Sequence, residues 1–233
     1  MKIPDSHYFV VRVDGHNFHK LTERMDKPFS EGFSNTMRDT AAVVSMDFEP
    51  ICAYVQSDEI SYIFAPTEKQ FNRRSDKFIS LLASHTGSYF THMTNVLGAF
   101  DGRIITIQDW GAVVDYLSVR QEDCYRNCVN AVAHYAIMNA MNISSSQAAK
   151  VLDKKSQNER IDIAINLDAW NQVDQKYISG SITRKITFEK VGYNPKDEIL
   201  VAVERSKWIV DTAPDFNALG PDRVQIYLNN DLL

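Results

Sequence analysis

Cysteine is scarce in this chain, at three residues in 233, and Cys52, Cys124 and Cys128 build no even disulfide framework. That excludes a disulfide scaffold and suits a reducing compartment, so the expected location is cytoplasmic. Cys124 and Cys128 stand four apart, but no second pair of Cys or His follows at zinc-finger spacing. Glycine and proline number only nine and seven, which leaves no low-complexity linker, and no internal repeat is found. No apolar run is long enough to cross a bilayer, and Met1-Lys2-Ile3-Pro4-Asp5 lacks the apolar core of a signal peptide, so no membrane partner is expected. A basic excess is missing too. With a formal net charge of −5, any polyanion site must be a local patch rather than a general attraction.

What is present is a soluble globular composition, 44% hydrophobic and 24% charged. Two runs dominate it: Tyr8 to Gly15 and Ala53 to Phe64, both rich in β-branched and aromatic residues and both reading as buried strands. Each is interrupted by acid where the chain turns. Burying the flanking strand holds Asp14 and Asp58 at the rim of a sheet, and two fixed carboxylates make a divalent-metal site, because Mg²⁺ takes hard oxygen ligands together with substrate phosphates. Gly15 beside Asp14 allows backbone to approach a ligand closely. Asp14, Asp58 and Glu59 are therefore the candidate catalytic acids, with Ser57-Asp58-Glu59 resembling the acidic hairpin of polymerase and nucleotide-cyclase palms. An ordinary turn and a solvated hairpin tip are the alternatives for either segment taken alone.

Past the first strand, Asp14-Gly15-His16-Asn17-Phe18-His19-Lys20 is dense in hydrogen-bonding groups, as expected where a sheet presents a ligand. Lys27, in a loop, reads as surface or as a phosphate contact. Apolar spacing with Ser30 as N-cap predicts a helix from 30 to about 46. Thr67 and Gln70 have capping-box spacing and predict another, on which Arg73, Arg74 and Lys77 would gather as a triphosphate clamp. A third strand region is expected over 95–107, with Phe100-Asp101-Gly102-Arg103 in or near a bend. The resulting βαββαβ order is that of a ferredoxin-like, polymerase-type palm, α+β in class.

A helix is predicted over 110–141, with Arg120, Asp123, Asn127, Asn130 and His134 along one side as its solvent face or a lining for a polar ligand. A short helix is expected over 147–153, a mixed charged region to Asn166, and strand-like alternation over 177–188 broken at Gly180. Pro195, Pro214 and Pro221 interrupt an acidic last forty residues. The expected organisation is a palm-like catalytic domain over 1–140, with 141–233 a helical and hairpin extension packed on it.

Several segments in order and spacing, Phe9 to His19, Tyr54 to Ser61, Asn72 to Phe78, Phe100 to Arg103 and Asp115 to Cys124, closely resemble the tRNA-histidine guanylyltransferase family and its guanylyltransferase-like relatives. The resemblance implies 3′-to-5′ nucleotide addition to the 5′ end of tRNA, using ATP and GTP, by a homotetramer with two Mg²⁺ ions. It implies Asp14, the Gly15 carbonyl and Asp58 as metal ligands. It implies Asp14, Gly15, His16, Asn17, Phe18, His19, Ser57 and Asp58 as the nucleotide site, and Lys27, Arg73, Arg74 and Lys77 as triphosphate contacts. Arg120, Asp123, Asn127 and Asn130 are candidates for tRNA or a second nucleotide. Where the eukaryotic histidine-tRNA enzymes have a leading histidine in a conserved helical motif, this chain has Cys124, and basic residues expected before Gly180 are Ile178 and Ser179. Both departures lean toward the branch that repairs truncated tRNA 5′ ends. A palm-type nucleotide cyclase and a non-catalytic tRNA- or nucleotide-binding module are the competing readings.

Overall fold

The structure, a computed structural model, describes residues 1–194 and 199–229. Pro195 lies outside the described residues, as do the last four of the acidic C-terminal forty. The first apolar run forms β1 (Tyr8–Gly15), followed by α1 (Phe18–Thr22) and α2 (Glu31–Phe48). Ser30 caps α2 by accepting from the Phe33 amide, as its spacing predicts. The second run forms a tight hairpin of β2 (Cys52–Gln56) and β3 (Glu59–Phe64), and every residue of the two strands is buried. Then come α3 (Ser75–Thr94), β4 (Phe100–Ile107) and α4 (Trp110–Met141).

With β5 (Ser181–Asn194) and β6 (Ile199–Thr212) from the C-terminal part, six strands form one antiparallel sheet in the order β4-β1-β3-β2-β5-β6, whose first four strands have the split βαβ arrangement the element order predicts. Side chains alternate across it. Phe9, Val11, Val13, Tyr62 and Phe64 pack one face against α2 and α3, while Val10, Cys52, Tyr54 and Ile63 pack the other against α4. A sheet buried on both sides explains why its strands read as near-continuous apolar runs.

Four local expectations differ. Phe100 to Arg103 form no bend; they are the first half of β4, paired along β1 from Gly15↔Phe100 to Arg12↔Arg103. Thr67 caps no helix: a single 3-10 turn at Gln70–Arg73 precedes α3, with positive φ at Phe71, Asn72 and Arg73. The charged stretch before Asn166 contains α6 (Gln157–Asn166), after α5 (Ser145–Leu152); Ser144 and Ser156 start these helices with complete capping boxes.

The strand expected over 177–188 begins only at Ser181: Tyr177, Ile178 and Ser179 belong to α7 (Gln175–Ser179), and Gly180, with φ of 78°, separates that helix from β5 (Ser181–Asn194). A β-carbon there would lie 2.4 Å from the Tyr54 hydroxyl, so the strand enters the sheet only through a glycine. β5 joins β2 at Cys52↔Arg184 to Val55↔Ser181, β6 (Ile199–Thr212) pairs with β5 throughout, and α8 (Phe216–Leu228) packs on α4.

Candidate active site

The hairpin register places the acids. β1 and β3 pair with Asp14 opposite Glu59, and β1 and β4 pair with Asp14 opposite Asp101. Cross-strand partners share a face, so Asp101, Asp14 and Glu59 form a row at one end of the sheet on the α4 side. Ser57 and Asp58 form the two-residue turn beyond Gln56 and Glu59, and Ser57 takes the positive φ of 48° such a turn demands.

Two backbone bonds fix the Asp14 end. The Gly15 amide donates to the Asp58 carbonyl at 3.1 Å and the His16 amide to the Ala99 carbonyl at 2.8 Å. A β-carbon on Gly15 would sit 2.9 Å from the Asp58 Oδ2 and 2.5 Å from the Phe18 ring, so the absent side chain is what lets that carboxylate close on the strand end. Burial raises the Asp58 carboxyl above the ordinary aspartate range, and the Asp14 and Glu59 charges push the same way, against hydrogen bonds within the turn. Among the described residues neither Asp14 nor Asp58 has an ion-pair partner. Two adjacent carboxylates without a cation suit a hard divalent ion, and their number, two side chains with a backbone carbonyl beside them, is the kind of set Mg²⁺ uses. No cluster of three or more His, Cys, Asp or Glu able to hold a metal occurs among the described residues.

Glu59 does something different from its neighbour. It is buried, accepts both forks of Arg120 at 2.9 and 2.7 Å, accepts from Gln56 at 3.2 Å, and lies 3.6 Å from Arg12. A carboxylate so committed holds α4 against the hairpin, whereas Asp14 and Asp58 carry no such partner among the described residues.

A cavity of about 300 Å³ opens beside this hairpin, lined by the loop from Thr22 to Ser30, by Val55 to Ser57, and by the α4 residues Cys124, Asn127 and Cys128. Ser57, Lys27 and Asn127 are thus brought together. Lys27 donates to the Thr22 carbonyl at 2.8 Å, which curls the loop over the cavity. Phe29 and Tyr177 stack at 4.3 Å between centroids on its wall. Arg38 and Lys176 also line it and were not singled out from the sequence. Their signal is tertiary: Arg38 sits mid-helix on α2, and Lys176 is 145 residues from the Glu31 it approaches at 3.5 Å.

Other expected contacts fall elsewhere. Phe18 is a core ring, packed on Phe33, Phe90 and Phe100, and offers no face to a nucleotide. His16, Asn17 and His19 are exposed beside the acids, and the Asn17 amide lies 2.8 Å from the His16 ring. The polar side of α4 divides: Arg120 is held by Glu59, Asp123 is shared between Arg120 and Arg126, and only Asn127 and Asn130 stay exposed and unspent. His134 meets the Ser145 hydroxyl at 3.0 Å.

The triphosphate clamp does not assemble at the acids. Arg73 is 1% exposed and its guanidinium donates to six carbonyls, those of Ile3, Pro4, His7, Ala65, Pro66 and Glu68. These carbonyls flank the start of β1 and the end of β3, whereas Asp14 and Glu59 stand at the other ends. Seven residues of β1 at about 3.3 Å each put roughly 20 Å between them. Arg74 is exposed and paired with Asp76, and Lys77 is exposed one turn into α3 at the same far end.

Residues 1–108 match the family model described as Thg1: tRNAHis guanylyltransferase. Among curated proteins, the chain is 32% identical over 157 residues to a probable tRNA(His) guanylyltransferase of Mus musculus, covering 62% of this chain and 53% of that one. It is 36% identical over 152 residues to the tRNA(His) guanylyltransferase of Kluyveromyces lactis, covering 58% and 64%. The chain spans about half the length of the first curated relatives it matches. The crystal structure of the Saccharomyces cerevisiae tRNA(His) guanylyltransferase superposes with a TM-score of 0.71 at 25% identity, covering 77% of this chain and 86% of that one. A bacterial Thg1-like protein in complex with GTP shares the fold over 98% of this chain and 92% of its own, with a TM-score of 0.69 at 23% identity.

Proposed function

We propose, from the match of residues 1–108 to the tRNAHis guanylyltransferase family model, that this chain transfers nucleotides to the 5′ end of a tRNA. The observation that carries the reading is the uncompensated pair Asp14 and Asp58, pressed together over Gly15 beside a cavity lined by Lys27, Arg38 and Lys176. Asp14, Asp58 and the Gly15 carbonyl would hold Mg²⁺, two ions as in related palms, whose charge stabilises the attacking and leaving oxygens of nucleotidyl transfer.

The chain's own residues set the rest. Lys27, Arg38 and Lys176 supply positive charge to a nucleotide's phosphates, ATP or GTP, and the Phe29–Tyr177 wall offers an apolar surface to its base. Activation joins the tRNA 5′-phosphate to the α-phosphate of ATP with loss of pyrophosphate; the 3′-hydroxyl of the incoming GTP then displaces AMP. His16 and Asn17, exposed at the strand end, are placed to meet the reacting phosphates.

The preferred substrate is a 5′-truncated tRNA. Cys124, standing where the histidine-tRNA enzymes have histidine, is buried and faces the Tyr177 carbonyl at 3.5 Å, so it offers nothing to an incoming RNA. Labelled GTP supplied with Mg²⁺ to full-length histidine tRNA and to a tRNA lacking its first nucleotide tests this. Templated addition to the truncated tRNA, abolished by Asp58→Ala in a folded protein, is expected. Addition to intact histidine tRNA alone would refute the repair reading, and activity surviving Asp58→Ala would refute the site. A cyclic product from GTP without RNA would make the chain a cyclase instead.

A further inference from the structure

Beyond its pairing with β2, which ends at Arg184, the β5–β6 hairpin continues as a free two-stranded arm over residues 185–194 and 199–208. At about 3.3 Å per residue it extends roughly 30 Å past the sheet, away from the acidic end. An isolated ribbon of this kind buries little on either side. Its charges are sorted by face.

The register Ile186↔Lys207, Phe188↔Arg205 and Lys190↔Val203 puts Lys207, Arg205 and Lys190 on one face around Phe188. This face continues the one on which Ile182 packs under α4 and α8, the same side of the sheet as Asp14. Its three cations are exposed, and none has an ion-pair partner among the described residues. Lys207 lies 5.6 Å from the centroid of the Phe188 ring, which is itself 41% exposed. The acids sit behind: Glu189 opposite Glu204 on the other face, beside Lys185, which pairs with Glu49 at 2.7 Å. In a chain of net charge −5, a ribbon face with three free cations around an exposed aromatic ring is a local polyanion site.

We propose that this face of the arm, through Lys190, Arg205, Lys207 and Phe188, binds the sugar-phosphate backbone of the substrate tRNA well away from its reacting 5′ end. The inference rests on tRNA being the substrate. The arm runs some 45 Å from Ser181, beside the hairpin, to its tip, so one RNA can lie along the α4 side of the sheet and touch both acids and arm. Three cations on a flat ribbon read phosphate spacing and shape, with no base-specific donors, which suits an enzyme accepting many tRNA sequences.

The test uses the full chain with Lys190→Gln, Arg205→Gln and Lys207→Gln combined. Binding of a whole tRNA transcript and of its isolated acceptor-stem hairpin is measured against salt concentration. Each lost phosphate contact removes about one from the slope of log K against log salt, so the triple variant should lose two to three in slope for tRNA. Affinity for tRNA should fall on the order of tenfold or more, while acceptor-hairpin binding and GTP addition to it stay unchanged. Restoring charge with Lys190→Arg and Lys207→Arg, Arg205 left intact, should keep wild-type affinity. Unchanged slope and affinity for tRNA overturn the proposal, as does a variant whose oligomeric state changes while its tRNA affinity does not, since the face would then join copies of the chain. If the wild type binds tRNA through the arm but adds no nucleotide, the proposed activity fails and the arm stands.

Discussion

Arg73 distinguishes a surface phosphate clamp from an internal brace, and the two readings predict opposite outcomes on removal. Arg73→Ala deletes a guanidinium that satisfies six carbonyls at 2.7–3.4 Å. The Pro4 and Ala65 carbonyls keep a backbone donor each, from His7 and Glu68, so the loss concentrates on Ile3, His7, Pro66 and Glu68. Removing one member of a buried charged network costs about 3–5 kcal/mol, well below the sum of its separate bonds. For a chain of this size each kcal/mol lowers Tm by about 2–4 °C, so thermal unfolding should move down by about 6–20 °C. Arg73→Lys should recover little, because an ammonium cannot fork toward six acceptors. Arg74→Ala, which removes only a surface pair with Asp76, should leave Tm unchanged. A normal Tm for Arg73→Ala with lost nucleotide affinity would refute the brace and restore the clamp.

Asp58 gives a pH signature. Its folded carboxyl is raised above the unfolded value, so the native state holds the proton more tightly and gains stability as pH falls from neutral toward the ordinary aspartate range. Asp58→Asn should therefore raise the Tm of the metal-free protein at neutral pH, an advantage that disappears on acidification, and Mg²⁺ should stabilise the wild type only. Gly15→Ala forces a methyl to 2.5 Å from a Phe18 ring wedged among Phe33, Phe90 and Phe100, so it should cost about 1–3 kcal/mol in unfolding measurements and lower GTP addition through the displaced Asp58. The cysteines should resist a maleimide at pH 8 until the protein unfolds, because burial pushes Cys124 up to about 11, Cys128 up to about 12 and Cys52 further still; rapid native labelling would show that the α4 face opens.

Much of the framework is local in origin and was legible as such. β-branched and aromatic runs read as buried strands, and acids interrupting them where the chain turns are expected at strand ends, which is where β1 and the hairpin turn at Ser57-Asp58 put them. Ser30 as a helix start and Gly180 as the break before β5 follow from the same short-range rules. The βαββαβ order then leaves few ways to close the sheet. The boundaries of α4 were readable because an apolar period persists for 32 residues between Asp109 and Asn142.

What tertiary structure decided is the fate of charge. Glu59 and Asp58 are neighbours in sequence and both acidic, yet the alternation of β3 turns one into a buried partner of Arg120 while the turn leaves the other facing Asp14. Arg73, Arg74 and Lys77 look alike as cations, but a run of positive φ angles aims Arg73 inward at carbonyls from two separate segments, 3–7 and 65–68. Arg38 and Lys176 reach the cavity only because α2 and α7 meet there, and no spacing in the chain encodes that meeting. Hydrophobic periodicity is a property of neighbours a few residues apart, so it fixes which segments fold and which faces are buried. A charge is placed by partners tens of residues away, and only the closed sheet says whether it is spent on the fold or left for a substrate.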